Sequence, residues 1–222
     1  MPSPSFARRA GLLGLLTLGA LGCGLISSDI TKVTFDLPTK HYKFSSQNFP
    51  IPAGVPNQKV TCGPGGTLPD CPAPAVCDAG VCSAHVPVNV SQKMDLKMEV
   101  PALMNVSSQS LADITLESLS YDVNNTSNLA IPAIELYLAP VGVTDPSDPM
   151  AQKFGTVPAI AANSTASGDV VKEPGADDLF IMYGHTLTPF NFIAATTVVI
   201  PSGTVPSGMV DITINGKVAA KL

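Results

Sequence analysis

The chain has 222 residues, of which 12 are Lys or Arg and 17 are Asp or Glu, so its formal net charge is −5 at pH 7. Nucleic-acid binding needs clustered cations, and this acidic balance argues against it. The absence of Trp and the 5% aromatic content argue against stacking platforms for sugars or bases, whereas the 45% hydrophobic content favours a folded chain over a disordered one.

The first 22 residues have the organisation of an export signal. Residues 1–10 carry Arg8 and Arg9 and no acidic residue, residues 11–21 are uncharged and rich in Leu and Gly, and small residues follow. This order is typical of a secretory signal peptide. The alternative is a membrane-spanning helix of about 20 mainly apolar residues, which the five glycines of the uncharged run 10–28 disfavour.

The cysteine at the end of this segment makes the prediction more specific. Ala20-Leu21-Gly22-Cys23 resembles the lipobox of bacterial lipoproteins, in which small residues precede an obligatory cysteine. The resemblance implies cleavage before Cys23, lipid on its thiol and acylation of the new N-terminus, and several acyl chains anchor a protein stably. Gly24, rather than Asp, follows the cysteine, which implies sorting to the outer membrane of a bacterial envelope. Residues 1–22 are thus predicted as a signal peptide and 23–29 as a lipidated tether.

The other four cysteines form one cluster within residues 62–82: Cys62, Cys71, Cys77 and Cys82. This segment also holds four prolines and four glycines, and it has too little apolar mass for a core of its own. In an oxidising compartment we predict two disulfides, with all three connectivities open. The alternative is a zinc site, but zinc ligands usually come in pairs two to four residues apart. The segment is therefore predicted as a disulfide module without metal, either a stapled surface loop or a recognition knob.

The rest of the chain is dominated by alternation of apolar and polar residues, which indicates β-strands. Alternating runs occupy 33–37, 86–100, 114–123 with a bulge near Ser118, 134–138, 192–200 and 210–220. Asn215-Gly216 lies between apolar runs and predicts a hairpin turn. Short helices are predicted near 149–154 and 177–183, and 45–61 reads as a Pro-rich connector. Many short strands between turns predict a mainly β chain, folded as an antiparallel β-sandwich over 83–222, with a first strand in 30–61.

One stretch carries a family resemblance. ITLESLSYDVNNTSNLAIPAIELYLAP, residues 114–140, with the closing hairpin, resembles the β-sandwich of late-embryogenesis-abundant, water-stress-type domains. The resemblance implies an immunoglobulin-like or late-embryogenesis-abundant-like sandwich and a scaffold role in the periplasm or at the cell surface. It brings no catalytic residue, and the cysteine module departs from its pattern.

Catalytic motifs are missing from the sequence. It has no G-x-S-x-G elbow, phosphate-binding loop, dinucleotide fingerprint or zincin helix, so we predict a non-enzyme without a cofactor. Four acidic residues in two loops could supply oxygen ligands to calcium, but residues of this kind in Pro- and Gly-rich loops are better explained as turn formers or helix caps. These residues are Asp145, Asp148, Asp177 and Asp178. His185, between Tyr183 and Phe190, is predicted to be a hydrogen-bonded core or rim residue rather than a ligand.

The predicted function is a non-enzymatic lipoprotein of the bacterial cell envelope that contacts the membrane through its lipid. Its predicted partner is another envelope protein, which it binds or whose assembly it stabilises. The alternative is a binding protein for a small or lipidic ligand, with a methionine-rich region as an adaptable surface. That region consists of Met94, Met98, Leu103 and Met104.

Overall fold

The computed structural model describes residues 32–49, 58–63, 70–104 and 113–221. Within these ranges the elements follow one another as β1 (Lys32–Asp36), β2 (Lys40–Ser45), β3 (Val76–Asp78), β4 (Val81–Met94), α1 (Leu96–Glu99), β5 (Asp113–Asn125), β6 (Ile134–Pro140), β7 (Gln152–Val157), β8 (Ser164–Asp169), β9 (Val171–Lys172), α2 (Ala176–Thr186), β10 (Phe190–Pro201) and β11 (Met209–Lys221). Short 3-10 turns occupy Ser46–Asn48 and Pro101–Leu103.

The strands form two antiparallel sheets, so the predicted mainly β sandwich is confirmed. Sheet A has the order β1-β11-β5-β8, and β2 lies beside β1 along the same edge of β11. Sheet B has the order β3-β4-β10-β6-β7-β9. The segment 30–61 therefore carries two strands, β1 and β2, where the sequence pattern indicated one.

The core lies between the inner faces of the two sheets. On β5 the residues of the predicted alternation are all buried: Ile114, Leu116, Leu119, Tyr121 and Val123. The pairing of β5 with β11 shifts by one residue between Leu116 and Ser118, which confirms the predicted bulge. Helix α2 packs on β5 and β7, and its Phe180 lies 6.4 Å from Phe154 between ring centroids. Alternation thus identifies the inner face correctly on both sides of the bulge.

The predicted hairpin at Asn215-Gly216 is wrong. Both residues lie inside β11, which runs from Met209 to Lys221 and pairs with β5 from Val210 to Lys221. Gly216 leaves room for the Leu37 side chain, since a Cβ at this position would lie 2.7 Å from Cδ1 of Leu37 and displace it. The carbonyl of Gly216 also accepts a 2.8 Å hydrogen bond from the Leu37 amide. Tertiary pairing on both edges of β11 overrides the local turn signal.

Two further predictions need correction, and one is confirmed. The helix predicted near 149–154 is wrong, because tight turns run up to Met150 and β7 begins at Gln152. The alternation predicted through 86–100 ends at Met94, and residues Leu96–Glu99 form α1. Asp95 caps this short helix by accepting a hydrogen bond from the Met98 amide. The helix predicted near 177–183 is confirmed as α2.

The predicted signal peptide, Cys23 and the tether lie outside the described residues. Within the described ranges, neither helix has the length and apolar composition needed to cross a bilayer.

Candidate functional site

The four clustered cysteines form two disulfides, which resolves the connectivity that the sequence left open. Cys62 pairs with Cys77 and Cys71 with Cys82, with Cα–Cα distances of 5.9 and 5.4 Å. Cys77 on β3 and Cys82 on β4 lie directly opposite each other in the antiparallel register. One hairpin therefore provides one half of each disulfide, and both preceding cysteines are fastened to it.

The hairpin turn between β3 and β4 is a feature that sequence reasoning missed. Its two central residues, Ala79 and Gly80, have φ values of 47° and 83°. Positive φ at both central positions is the geometry of the two-residue turn that matches the natural twist of paired strands. Gly80, directly after Asp78-Ala79, is the signal that could have located it, since glycine adopts positive φ without steric cost.

Backbone hydrogen bonds attach this module to the end of sheet B. The amide of Cys82 donates to the carbonyl of Val60 over 2.9 Å, and the amide of Ser202 donates to the carbonyl of Cys82 over 2.8 Å. The Ser202 hydroxyl accepts from the Val60 amide over 2.9 Å. We call residues 58–63 and 70–83 the disulfide knob. Because β4 runs through it and continues into the sandwich, the knob is an extension of sheet B.

The disulfide knob has a small core of its own. Cys62, Ala75 and Cys82 are buried together, with Val60 and Cys71 packed against them, and this cluster is separate from the main core. Disulfides thus replace the apolar mass that the segment lacks.

The surface of the knob combines an apolar and a charged feature. Val76 on β3 is 44% exposed. Nearby, Nε2 of His85 lies 2.6 Å from Oδ2 of Asp78, and both side chains are partly exposed. An accessible valine beside a polar pair, on backbone held by two disulfides, is an arrangement suited to contact with another protein.

The four acidic residues that could supply calcium ligands form local hydrogen bonds or lie at a helix end. The Asp145 carboxylate accepts hydrogen bonds from the amide and hydroxyl of Ser147, and the backbone bond is the main cause that lowers the pKa of Asp145. Asp148 accepts from the Met150 amide. Asp177 and Asp178 lie in the first turn of α2, where the helix dipole favours negative charge. These positions serve as turn and helix-end residues.

His185 and the methionine-rich region do not form a site together. His185 is exposed in the last turn of α2, so the prediction of a core or rim histidine is corrected: the helix end places its ring in solvent. The methionine-rich region does not form one surface. Met94 and Leu103 are buried in the main core, whereas Met98 and Met104 are exposed.

The outer face of sheet B carries a shallow, open groove of about 730 Å³. On one side of it Tyr137 donates to Glu135 over 2.7 Å, and Lys153 lies 3.0 Å from the same carboxylate. The hydrogen bond from Tyr137, followed by that from Lys153, lowers the pKa of Glu135, while burial and this carboxylate raise the pKa of Tyr137 to about 12. Glu173, 2.9 Å from Lys153, completes a network of mutually satisfied charges.

Comparison with known proteins gives no relative by sequence: no family model and no curated protein matches the chain. Among solved structures, one of Desmodium yellow mottle tymovirus is 8% identical, with 99% of this chain and 94% of that chain covered and a TM-score of 0.26. Carbohydrate-binding modules from the β-sandwich superfamily are 9% identical over 84% of this chain and 57% of that chain, with a TM-score of 0.29. Black queen cell virus is 16% identical over 100% and 82%, with a TM-score of 0.27. Similarities this distant carry no argument about function.

Proposed function

We propose that this chain is a non-enzymatic lipoprotein of the bacterial cell envelope, which contacts another envelope protein through the disulfide knob. The anchor part of the proposal rests on the signal-like segment and on the lipobox resemblance at Cys23. Two disulfides within one short module support an oxidising compartment, since such bonds persist outside the cytosol. With Cys23 set apart for lipid, the other four cysteines are all paired.

We place the contact surface on the knob because two disulfides hold its backbone in position. Its cluster around Cys62 and Cys82 is independent of the main core, and the exposed Val76 lies on the strand between them. A surface held rigid before binding loses little conformational entropy when a partner docks. The knob therefore offers a preorganised contact surface.

A photo-crosslinking amino acid tests this surface in the native host. It is placed at Val76 in one strain and, as a matched control, at Met182 on α2 in another, since these side chains are 44% and 50% exposed. We expect a discrete, stoichiometric adduct with an envelope protein from position 76 and none from position 182. Equal labelling from both positions, or no adduct from 76, contradicts the knob as the contact.

The anchor is tested separately by Cys23→Ser. We expect the full-length variant to leave the membrane fraction, uncleaved or miscut, with its four other cysteines still oxidised. Ser27→Ala serves as the control that leaves the lipobox intact and should remain membrane-bound. Membrane retention unchanged by Cys23→Ser would indicate a spanning segment instead.

A second candidate, binding of a small ligand, is favoured by the groove beside Glu135, Tyr137 and Lys153. Charged and hydroxyl side chains on one side of the groove and apolar residues such as Val88 and Ala195 on the other suit a small amphipathic ligand. Two results together would favour this candidate over the first. Neither crosslinking position captures a protein in the native host, and a low-molecular-weight fraction of an envelope extract protects the Tyr137 ring from solvent.

A further inference from the structure

Strand β8 forms one edge of sheet A. It pairs with β5, and no second described strand lies beside it. The Val170 amide, next along the chain, donates to the Leu119 carbonyl of β5 over 2.9 Å. Along an antiparallel strand, the backbone N–H and C=O groups of successive residues point to alternate sides. The even-numbered residues of β8 therefore bond to β5, whereas Thr165, Ser167 and Asp169 direct their N–H and C=O groups away from β5. These three residues are exposed.

The other described sheet edges are protected by familiar means. The opposite edge of sheet A carries Lys32 on β1 and Lys40 and Lys43 on β2. In sheet B, the edge strands β3 and β9 have only three and two residues, and the longer edge that β4 presents beyond Ser83 contains Pro87. Lysines and very short strands are common devices against edge-to-edge pairing. In contrast, β8 has six residues, Ser-Thr-Ala-Ser-Gly-Asp, without proline and with its one charge at the end.

We propose that β8 is a self-association strand, which pairs antiparallel with β8 of a second copy and joins two A sheets into one. Two conditions limit the register of such a pair. Residues directly opposite each other must lie on the same face of the sheet, and hydrogen-bonded residues must have outward-pointing backbone groups on both strands. A two-fold axis at Ser167 meets both conditions. It places Ser167 opposite Ser167 of the second copy and Thr165 opposite Asp169, so every outward backbone group receives a partner.

The side chains of β8 favour a second copy in this register. Thr165 offers a hydroxyl donor opposite the Asp169 carboxylate, and the two Asp169 residues lie at opposite ends of the paired segment. On the inner face the register sets Gly168 opposite Ala166, two small residues that allow close approach. The same patch serves both copies, as in the isologous interface of a two-fold dimer. The inference goes beyond the proposed contact at the knob, which lies in the other sheet.

Substitutions at the predicted cross-strand pair test the dimer and its register together. Sedimentation velocity of the full-length chain is measured over a concentration series up to about 1 mM, in density-matched detergent. We expect a reversible monomer–dimer equilibrium for the wild type. Thr165→Asp sets two carboxylates opposite each other at both ends of the strand pair, and the dissociation constant should rise about tenfold.

A charge swap supplies the matched control. In the double variant Thr165→Asp, Asp169→Lys, opposite charges face each other across the same pair, and dimerisation should be restored. Ser167→Thr keeps the backbone donor and should leave dimerisation unchanged. A wild type that stays monomeric throughout the series overturns the proposal. So does a dimer that tolerates Thr165→Asp.

Amide hydrogen exchange gives a second measurement that does not depend on particle mass. The amides of Thr165, Ser167 and Asp169 should exchange rapidly in dilute protein and slow down with concentration, while those of Ala166 and Gly168 are protected throughout. Concentration-dependent protection elsewhere, with these three unchanged, would assign the dimer to another surface and overturn the proposal. Crosslinking from position 76 should be the same in Thr165→Asp, so failure of one proposal leaves the other distinguishable.

Discussion

Lys40 of β2 and Glu99 of α1 form an ion pair with 2.8 Å between Nζ and Oε2. The Lys40 side chain is only 9% exposed and that of Glu99 31%. Nζ of Lys40 also donates to the carbonyl of Lys93 on β4, over 3.2 Å. A single ammonium group therefore links sheet A to sheet B and to the short helix that follows β4.

Removing the counter-charge of Lys40 should destabilise the fold. In Glu99→Gln the ammonium group keeps its buried position without an anion, and we expect the free energy of unfolding to fall by about 1–3 kcal/mol. Urea denaturation at neutral pH measures this loss. Asp113→Asn is the control, because the Lys221–Asp113 pair is exposed, at 50% and 39%, and such pairs contribute less than about 1 kcal/mol. Equal losses in the two variants would show that burial of Lys40 is unimportant.

Gly208 lies where a loop meets the end of β5. Its φ is +88°, and a Cβ at this position would lie 2.7 Å from Cα of Ser127. Gly208→Ala therefore combines backbone strain with a clash against backbone, and we expect a loss of more than about 2 kcal/mol. Gly175→Ala is the matched control, with φ +83° and no heavy atom within 4 Å of the added Cβ.

The control isolates the clash, since strain alone costs about 1 kcal/mol at positive φ. Thermal unfolding of both variants measures the difference. Gly208→Ala with a midpoint no lower than that of Gly175→Ala would mean that the loop relaxes freely.

Asn125 is a buried polar residue with every hydrogen-bonding position of its amide in use. Its Nδ2 donates to the carbonyls of Leu129 and Ala161 over 2.8 and 2.9 Å. Its Oδ1 accepts from the amide and hydroxyl of Ser127 over 3.0 and 2.6 Å. The side chain thus fastens the end of β5 to the segment that precedes β8.

Replacing this amide by its acidic isostere reverses one set of these interactions. In Asn125→Asp a carboxylate oxygen faces two carbonyl oxygens, so we expect a loss of about 3 kcal/mol or more at pH 7. Asn124→Asp, one residue earlier and exposed, is the control and should be nearly neutral. Part of the loss should be regained at low pH, where a protonated carboxyl group can donate to one carbonyl. A pH-independent defect would argue that shape, rather than hydrogen bonding, limits this site.

The contrast between Asn125 and Gly216 shows what the sequence could predict. The polar run 124–128 favours a turn by composition, because Asn and Ser form local hydrogen bonds, and β5 ends within this run at Asn125. Asn215-Gly216 carries an equally strong turn signal, yet pairing with β5 on one side and the hydrogen bond from the Leu37 amide on the other keep it extended. Local hydrogen bonds explain the turn after Asn125, whereas contacts with distant residues explain the extended conformation of Asn215-Gly216.

The candidate site shows the same division. Spacing and compartment predict two disulfides, but the choice of Cys77 for Cys62 depends on where the β3–β4 hairpin places each sulfur. The bond between the Val60 amide and Ser202 joins residues 142 positions apart. No periodicity or motif encodes such a contact, so the attachment of the knob to sheet B required the structure.

Glu135 gives a pH-dependent prediction whose sign follows from its pKa. Hydrogen bonds from Tyr137 and Lys153 lower this pKa from its ordinary value of 4.5. A lowered pKa means that the folded state favours the charged carboxylate. The resulting contribution to stability is complete above about pH 4.5 and is lost as the pH falls through the lower pKa that Glu135 has in the folded state. Wild type should therefore exceed Glu135→Gln in stability at pH 7, and the difference should shrink as the pH falls below 4.5. Tyr137→Phe removes the first donor and should raise the pKa of Glu135, so its loss of stability on acidification should begin at a higher pH. Urea denaturation of the three proteins across this range measures both effects, and parallel pH profiles for all three would contradict the assignment of this network.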